Sequence, residues 1–456
     1  MTSVSIARWL PVVLSAIAAL SAYSARAQSL PVKTRLTQGF LRQVNPYFST
    51  QSITYSDGTI LTRSVINGPS APPPGYELER SEAVIPEPRQ EMGLVTLNVP
   101  AFRWVLGCSA VSGAMIAGYH DRNGYPNMYT GPANGGLMPL NDLSWPSWMD
   151  AVGSTYPNNP LVASHDGSDG RNTPGSIDDY WISYGSALQD PYITESRVQH
   201  TWGDSVGDYM KTSQSGYGNS DGATTFYYNS SASPLTCGAM ESLGIQNDDG
   251  AYGRKLFYEA KGYTVTDCFT QSTDNRQIGG FSFSQYKAEI DAGHPVLLHL
   301  MGHSIVGVGY DDSSNTVYIH DTWDNGAHAM TWGGSYSGMD LWGVSIVNLE
   351  QPDLLLSNSR FKVEVDWRTL TGGTGKGIAV PLTSDSGYFW FFENTNVELM
   401  VKMLDGRSVN GHFWLFWGAL TDVQFTITVT DTQTGAVKQY FGTQGVQTSG
   451  NDIRAF

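Results

Sequence analysis

A cysteine set at the start of a small-residue helix limits most what this chain can become. Gly107-Cys108-Ser109-Ala110-Val111-Ser112-Gly113-Ala114-Met115-Ile116-Ala117-Gly118-Tyr119 turns at Gly107 and runs into a helix with Cys108 in its first turn. Val111, Met115, Gly118 and Tyr119 recur at helical spacing and predict an inward face. Ala110, Ser112, Gly113 and Ala114 are small enough for the helix to wedge tightly into a core. At such a helix start, unpaired N–H groups and the positive end of the dipole favour a thiolate over a thiol. A thiolate in that position needs a base.

The later chain offers His303, which opens Gly302-His303-Ser304-Ile305-Val306-Gly307-Val308-Gly309-Tyr310. Strands are predicted over 295–300, 304–310 and 316–321, the last two joined by the polar turn Asp311-Asp312-Ser313-Ser314-Asn315. A hairpin centred near Ser313 puts Asp321 opposite Ile305, and alternation puts Ile305 on the face of His303. Asp321 then lies diagonally beside the imidazole, as an acid that orients it, with Asp324 and Asn325 as rivals. The bland readings are a hydrogen-bonded core histidine and a turn-capping carboxylate. No glutamine stands just before Cys108, so its own backbone N–H is the expected oxyanion donor, helped by a group near Trp104.

Three cysteines occur in all: Cys108, Cys237 and Cys268. An odd number leaves one thiol over. The simplest pairing joins Cys237 to Cys268 and frees Cys108; three buried, inert thiols are the alternative. His294, His299, His303, His320 and His328 fall close in sequence, yet no His-Glu-x-x-His helix or Cys-x-x-Cys pair accompanies them. Neither a metal nor another cofactor is expected. Asp166, Asp169, Asp178 and Asp179 lack the spacing of an EF-hand and read as solvated turns.

Residues 1–27 read as a secretory signal, with Arg8 as the charged start, an apolar run from Trp9 to Leu20, and Ala25-Arg26-Ala27 before the cut. No stretch is long enough for a membrane span. The net charge of -16 argues against nucleic acid or an anionic membrane as partner. The expected product is secreted, extracellular or periplasmic.

Residues 28–94, with Ala71-Pro72-Pro73-Pro74-Gly75, read as an irregular N-terminal arm, a linker or a pro-segment. Residues 95–351 form the domain that carries the chemistry, with a long aromatic-rich insertion over 121–235 that holds helical fragments at 176–185 and 205–211. Helices are expected at 250–262, with Leu256, Phe257 and Ala260 inward, and at 283–293, capped by Ser284. Residues 352–456 repeat short strand patterns at 361–365, 389–392, 397–402, 413–417 and 423–430, which predicts an all-β sandwich. Gly372–Gly377 lacks the spacing of a phosphate loop and reads as a turn.

The order Cys108, then Gly302-His303-Ser304 through Gly309-Tyr310-Asp311, then Val317-Tyr318-Ile319-His320-Asp321 resembles the papain-like cysteine peptidases. Within that family the chain resembles the bacteriocin-processing-type peptidases and their secreted bacterial relatives. The resemblance covers about residues 95–350. It implies an α+β, papain-like core, with the nucleophile helix against an antiparallel sheet. It also implies Cys108 as nucleophile, His303 as general base and Asp321 as orienting acid. The missing upstream glutamine is a departure from that pattern. The expected activity is hydrolysis of a peptide or protein substrate through an acyl-enzyme. The alternatives are a cell-wall peptide amidase or acyl transferase, and a non-catalytic binding protein built on a degenerate hydrolase core.

Overall fold

The computed structural model describes residues 33–76, 80, 90–91, 94–105, 107–131, 134–145, 147–149, 155–157, 159–162, 205–214, 217–219, 222–392 and 396–456. The secretory signal read at 1–27, the helix expected at 176–185 and the aspartates from 166 to 179 lie outside the described residues. The chain is mostly β-sheet with few helices.

The segment expected to be an irregular arm carries strands. Arg35–Gln38 (β1), Arg42–Asn45 (β2), Phe48–Tyr55 (β3) and Ile60–Ile66 (β4) form one sheet. Its other edge is Thr224–Asn229, which pairs with β4 from Leu61↔Asn229 to Ile66↔Thr224. The alternation of β3, with Phe48, Ile53 and Tyr55 buried, is short and broken by polar residues, so period alone does not announce it. Phe48 and Ile66 share one core with the cysteine helix. The arm is part of the body, not a spacer.

The largest sheet among the described residues runs through Leu94–Thr96 (β5), Val265–Ser272 (β6), Val296–Leu300 (β7), His303–Asp311 (β8), Thr316–His320 (β9), His328–Thr331 (β10) and Met339–Leu349 (β11). Its central order is β6-β11-β7-β8-β9-β10, all antiparallel, and β5 pairs with the far half of β8. Val306↔His320 is the register the hairpin reading expected, but it slips by one between Gly307 and Gly309. At Gly309 a Cβ would stand 2.5 Å from the Val95 carbonyl, so glycine lets β5 close on this edge.

Cys108–Arg122 (α1) packs on this sheet and is buried from Cys108 to Asp121. The expected single inward face is therefore an understatement; the small residues admit neighbours on every side. Gly250–Ala260 (α2) is capped by Asp249, which accepts from Ala251 and Tyr252. Phe257 is buried as expected, but Ala260 is exposed, and buried Arg254 joins the inward face by donating to the Ser345 carbonyl at 2.7 Å. Phe283–Asp291 (α3) is capped by Ser282 and not by Ser284, because Gln285 completes a reciprocal capping box with it. The serine cap at 205 holds the short helix Val206–Met210.

After Pro352 two five-stranded sheets face each other. Phe361–Arg368 and Gln424–Asp431 lie in one, Leu399–Gly406 and His412–Ala419 in the other. Val363, Val365, Ile427 and Val429 from the first meet Leu399, Val401, Met403 and Leu415 from the second in a separate apolar core. This is the expected sandwich.

Candidate active site

Gly107 takes φ 138°, and a Cβ on it would lie 2.4 Å from Thr212 Cγ2. Only glycine fits the turn that delivers Cys108 to the helix start. No side chain caps α1, which leaves its first N–H groups to the thiolate and to a reacting carbonyl oxygen.

The sheet supplies the rest. Ser304 N–H donates to Cys108 Sγ at 3.3 Å, and the Ser304 hydroxyl lies 2.7 Å from Ser109 Oγ and 3.0 Å from His299 Nδ1. One residue earlier, His303 is fully buried, and its Nδ1 makes no hydrogen bond. A methyl group placed on Gly68 would stand 2.4 Å from that Nδ1 and 2.5 Å from Cys108 Sγ. Sulfur and nitrogen thus face one point. His303 Nε2 lies 2.7 Å from the Asp321 carbonyl oxygen, which only accepts, so Nε2 carries the proton and Nδ1 the lone pair. Thr322 Oγ1 is 3.3 Å from the same Nε2, and the Trp323 ring stacks on the imidazole with centroids 4.1 Å apart.

Burial opposes ionisation of Cys108. The neighbouring imidazole of His303 and the N–H groups of Ser304 and Gly68 outweigh it, so the thiol titrates below its ordinary value.

Cys108 and His303 are brought together; Asp321 arrives by its main chain. Its Oδ2 accepts from Arg80 Nε at 2.8 Å and from Tyr336 OH at 2.8 Å, and its Oδ1 from Trp323 N–H at 3.0 Å. The physical reason is the end of β9. The chain leaves the sheet after His320, and Thr322 takes φ 68°, so alternation no longer decides where the Asp321 side chain points.

The rival orienters go elsewhere. Asn325 Nδ2 donates to the Ala101 carbonyl at 2.7 Å and to Asp142 Oδ2 at 3.1 Å, tying the loop to the approach to α1. Asp324 accepts from Arg80 and pairs with His328. The histidine cluster disperses: His294 meets Glu289, and His320 lies between the Gly326 and Val99 carbonyls. Burial holds His299 well below its ordinary pKa, as a neutral core residue. Among the described residues Asp321, Asp324 and His328 bring their ligand atoms within 4.8 Å of one another, but the Arg80 guanidinium already sits on both carboxylates.

Gly203-Asp204-Ser205-Val206-Gly207 spells the pattern of a serine-hydrolase turn. Ser205 instead spends its hydroxyl on the Asp208 N–H as a helix cap. Cys237 is bonded to Cys268, and Cys108 is free. Gly68, Arg80, Thr322 and Trp323 were not legible as site residues. Gly68 and Arg80 stand far upstream in a stretch without period, and nothing in sequence announces the positive φ of a threonine.

A family model described as the Peptidase_C39 like family matches residues 228–335. That span carries His303 and Asp321 and leaves Cys108 upstream of it. No curated protein and no solved structure matches the chain. The match relates this part of the chain to the C39-type cysteine peptidases.

Proposed function

We propose that this protein is an exported cysteine peptidase with Cys108 as nucleophile, His303 as general base and Asp321 as the residue that orients the base. The observation that carries the reading is the shared point faced by Cys108 Sγ and the lone pair of His303 Nδ1, at the start of a buried helix. The thiol proton passes to Nδ1 and the thiolate attacks a peptide carbonyl carbon. The α1 N–H groups stabilise the oxyanion, and the imidazolium protonates the leaving amine as the C–N bond breaks. Water then hydrolyses the thioester and restores the thiol. Throughout, Nε2–H stays on the Asp321 carbonyl, where it fixes the tautomer.

The test is the pH dependence of Cys108 alkylation by iodoacetamide, in the wild type and in His303→Ala. The expected result is a reaction that persists well below the ordinary thiol pKa of about 8.5 and loses that persistence in the variant. Identical profiles in the two proteins would sink the reading. Cleavage of a peptide library then separates a peptidase from an amidase or acyl transferase.

A further inference from the structure

The point where substrate must react is already filled by the chain itself. After β4 the backbone crosses the site: Asn67 N–H donates to the Tyr47 carbonyl at 2.9 Å, and buried Gly68 lies over Cys108 and His303. The Gly68 N–H faces the thiolate. The Pro69 carbonyl accepts from Trp323 Nε1 at 2.8 Å, on the ring that stacks against His303. Farther along, the Tyr76 ring covers Gly338, where a Cβ would lie 2.3 Å from it.

Arg80 closes the crossing. Its Nε and Nη2 lie 2.8 and 2.9 Å from Asp321 and Asp324. Its guanidinium stands 5.3 Å over the Trp323 ring, and its carbonyl oxygen is 3.0 Å from His328 Nδ1. Charge-assisted bonds and a ring face together make a specific guanidinium seat.

We propose that residues 67–76 and Arg80 form an internal strap that inhibits the Cys108–His303 pair, latched by Arg80 on Asp321 and Asp324. The inference rests on the peptidase reading only for what the strap excludes. Three features support it. The Gly68 amide N–H faces the sulfur, so the strap meets it as a hydrogen-bond donor. Gly68 has no side chain, and any Cβ would collide with both reactive atoms, so the backbone sits at full contact. The strap also leaves directly from β4, which is paired in the N-terminal sheet, and its Arg80 is held on Asp321 and Asp324. It is therefore anchored to the body on both sides of the Cys108–His303 pair. Cys108 is exposed to a peptide only when Arg80 leaves its seat, or when the chain is cut between Gly68 and Arg80. Ala71, Pro74, Gly75 and Tyr76 are exposed and open to a protease.

The test uses the full chain in three forms: wild type, Arg80→Ala, and a version with a specific protease site inserted between Gly75 and Tyr76, then cut. The second-order rate of Cys108 alkylation is measured with iodoacetamide and with a bulky maleimide. The expected result is a gain of about tenfold or more in both altered forms, larger for the bulky reagent. Rates within twofold of wild type in the cut protein, with its melting temperature retained, would overturn the strap. The cut form decides the matter even where Arg80→Ala fails to fold. Alkylation does not depend on peptide cleavage. Faster alkylation without hydrolysis of any peptide therefore upholds the strap and removes the peptidase reading, while the His303→Ala profile tests that reading separately.

Discussion

The main-chain carbonyl of Asp321, and not its carboxylate, accepts the Nε2 proton of His303, at 2.7 Å. The carboxylate of the same residue is fully buried and engaged by Arg80 and Tyr336. One residue thus serves an imidazole with its backbone and a guanidinium with its side chain.

Asp321→Asn separates the two roles. The carbonyl contact survives, so the pH midpoint of Cys108 alkylation stays at the wild-type value. Arg80 loses its buried anionic partner, which lowers unfolding stability by about 3 kcal/mol. Urea denaturation and the alkylation profile measure the two halves. A midpoint raised to that of His303→Ala would assign the orienting role to the carboxylate instead.

Thr322 holds the peptide plane of that carbonyl with φ 68°, a conformation that strains a β-branched residue by about 1–3 kcal/mol. Thr322→Gly relieves the strain and removes the hydroxyl beside Nε2. The expected outcome is unchanged or higher stability together with alkylation at pH 6 slowed by about tenfold, because the base is less firmly placed. A variant as reactive as wild type would show that the strain plays no part in orienting His303.

Asp142 is buried, accepts from the Arg103 N–H at 2.5 Å and from Asn325, and burial pushes its carboxyl up to about 6. A raised folded-state pKa adds stability that is fully present below the unfolded value and is lost as pH rises through about 6. The wild type should therefore gain on Asp142→Asn as pH falls from 7 to 4, by about 2 kcal/mol. Paired urea curves across that window check the sign. A constant difference would mean that Asp142 titrates normally.

The disulfide between Cys237 and Cys268, the latter on β6, closes a loop of sequence separation 31. The double variant Cys237→Ser, Cys268→Ser should lose about 2–4 kcal/mol of stability. Its Cys108 alkylation rate should match the wild type at temperatures where both are folded. A slowed rate would show that the bond also shapes the site.

What was legible in sequence follows local rules. Cys108 is readable because Gly107 and the small residues after it form a helix entry that is self-contained over one dozen positions. The hairpin of β8 and β9 is readable because its polar turn and β-branched strands fix Val306 opposite His320. The sandwich strands show because their buried residues alternate, as at Phe361, Val363 and Val365. The β1–β4 sheet did not show, since its partner Thr224–Asn229 stands more than 150 residues away and supplies the burial that its own pattern lacks.

The sequence by itself determined the local framework: a thiol at a helix start, a histidine at a strand start, an odd cysteine count and a β-rich C-terminal unit. Those depend on spacing, turn chemistry and small-residue packing, all of which act within a few neighbours. Only the tertiary structure decided which atom of Asp321 meets His303, that Gly68 lies over the pair, and that Arg80 sits on the Asp321 carboxylate. These outcomes hinge on one positive φ at Thr322 and on a crossing between two distant sheets, and the closure of such long-range contacts leaves no periodic trace in the chain.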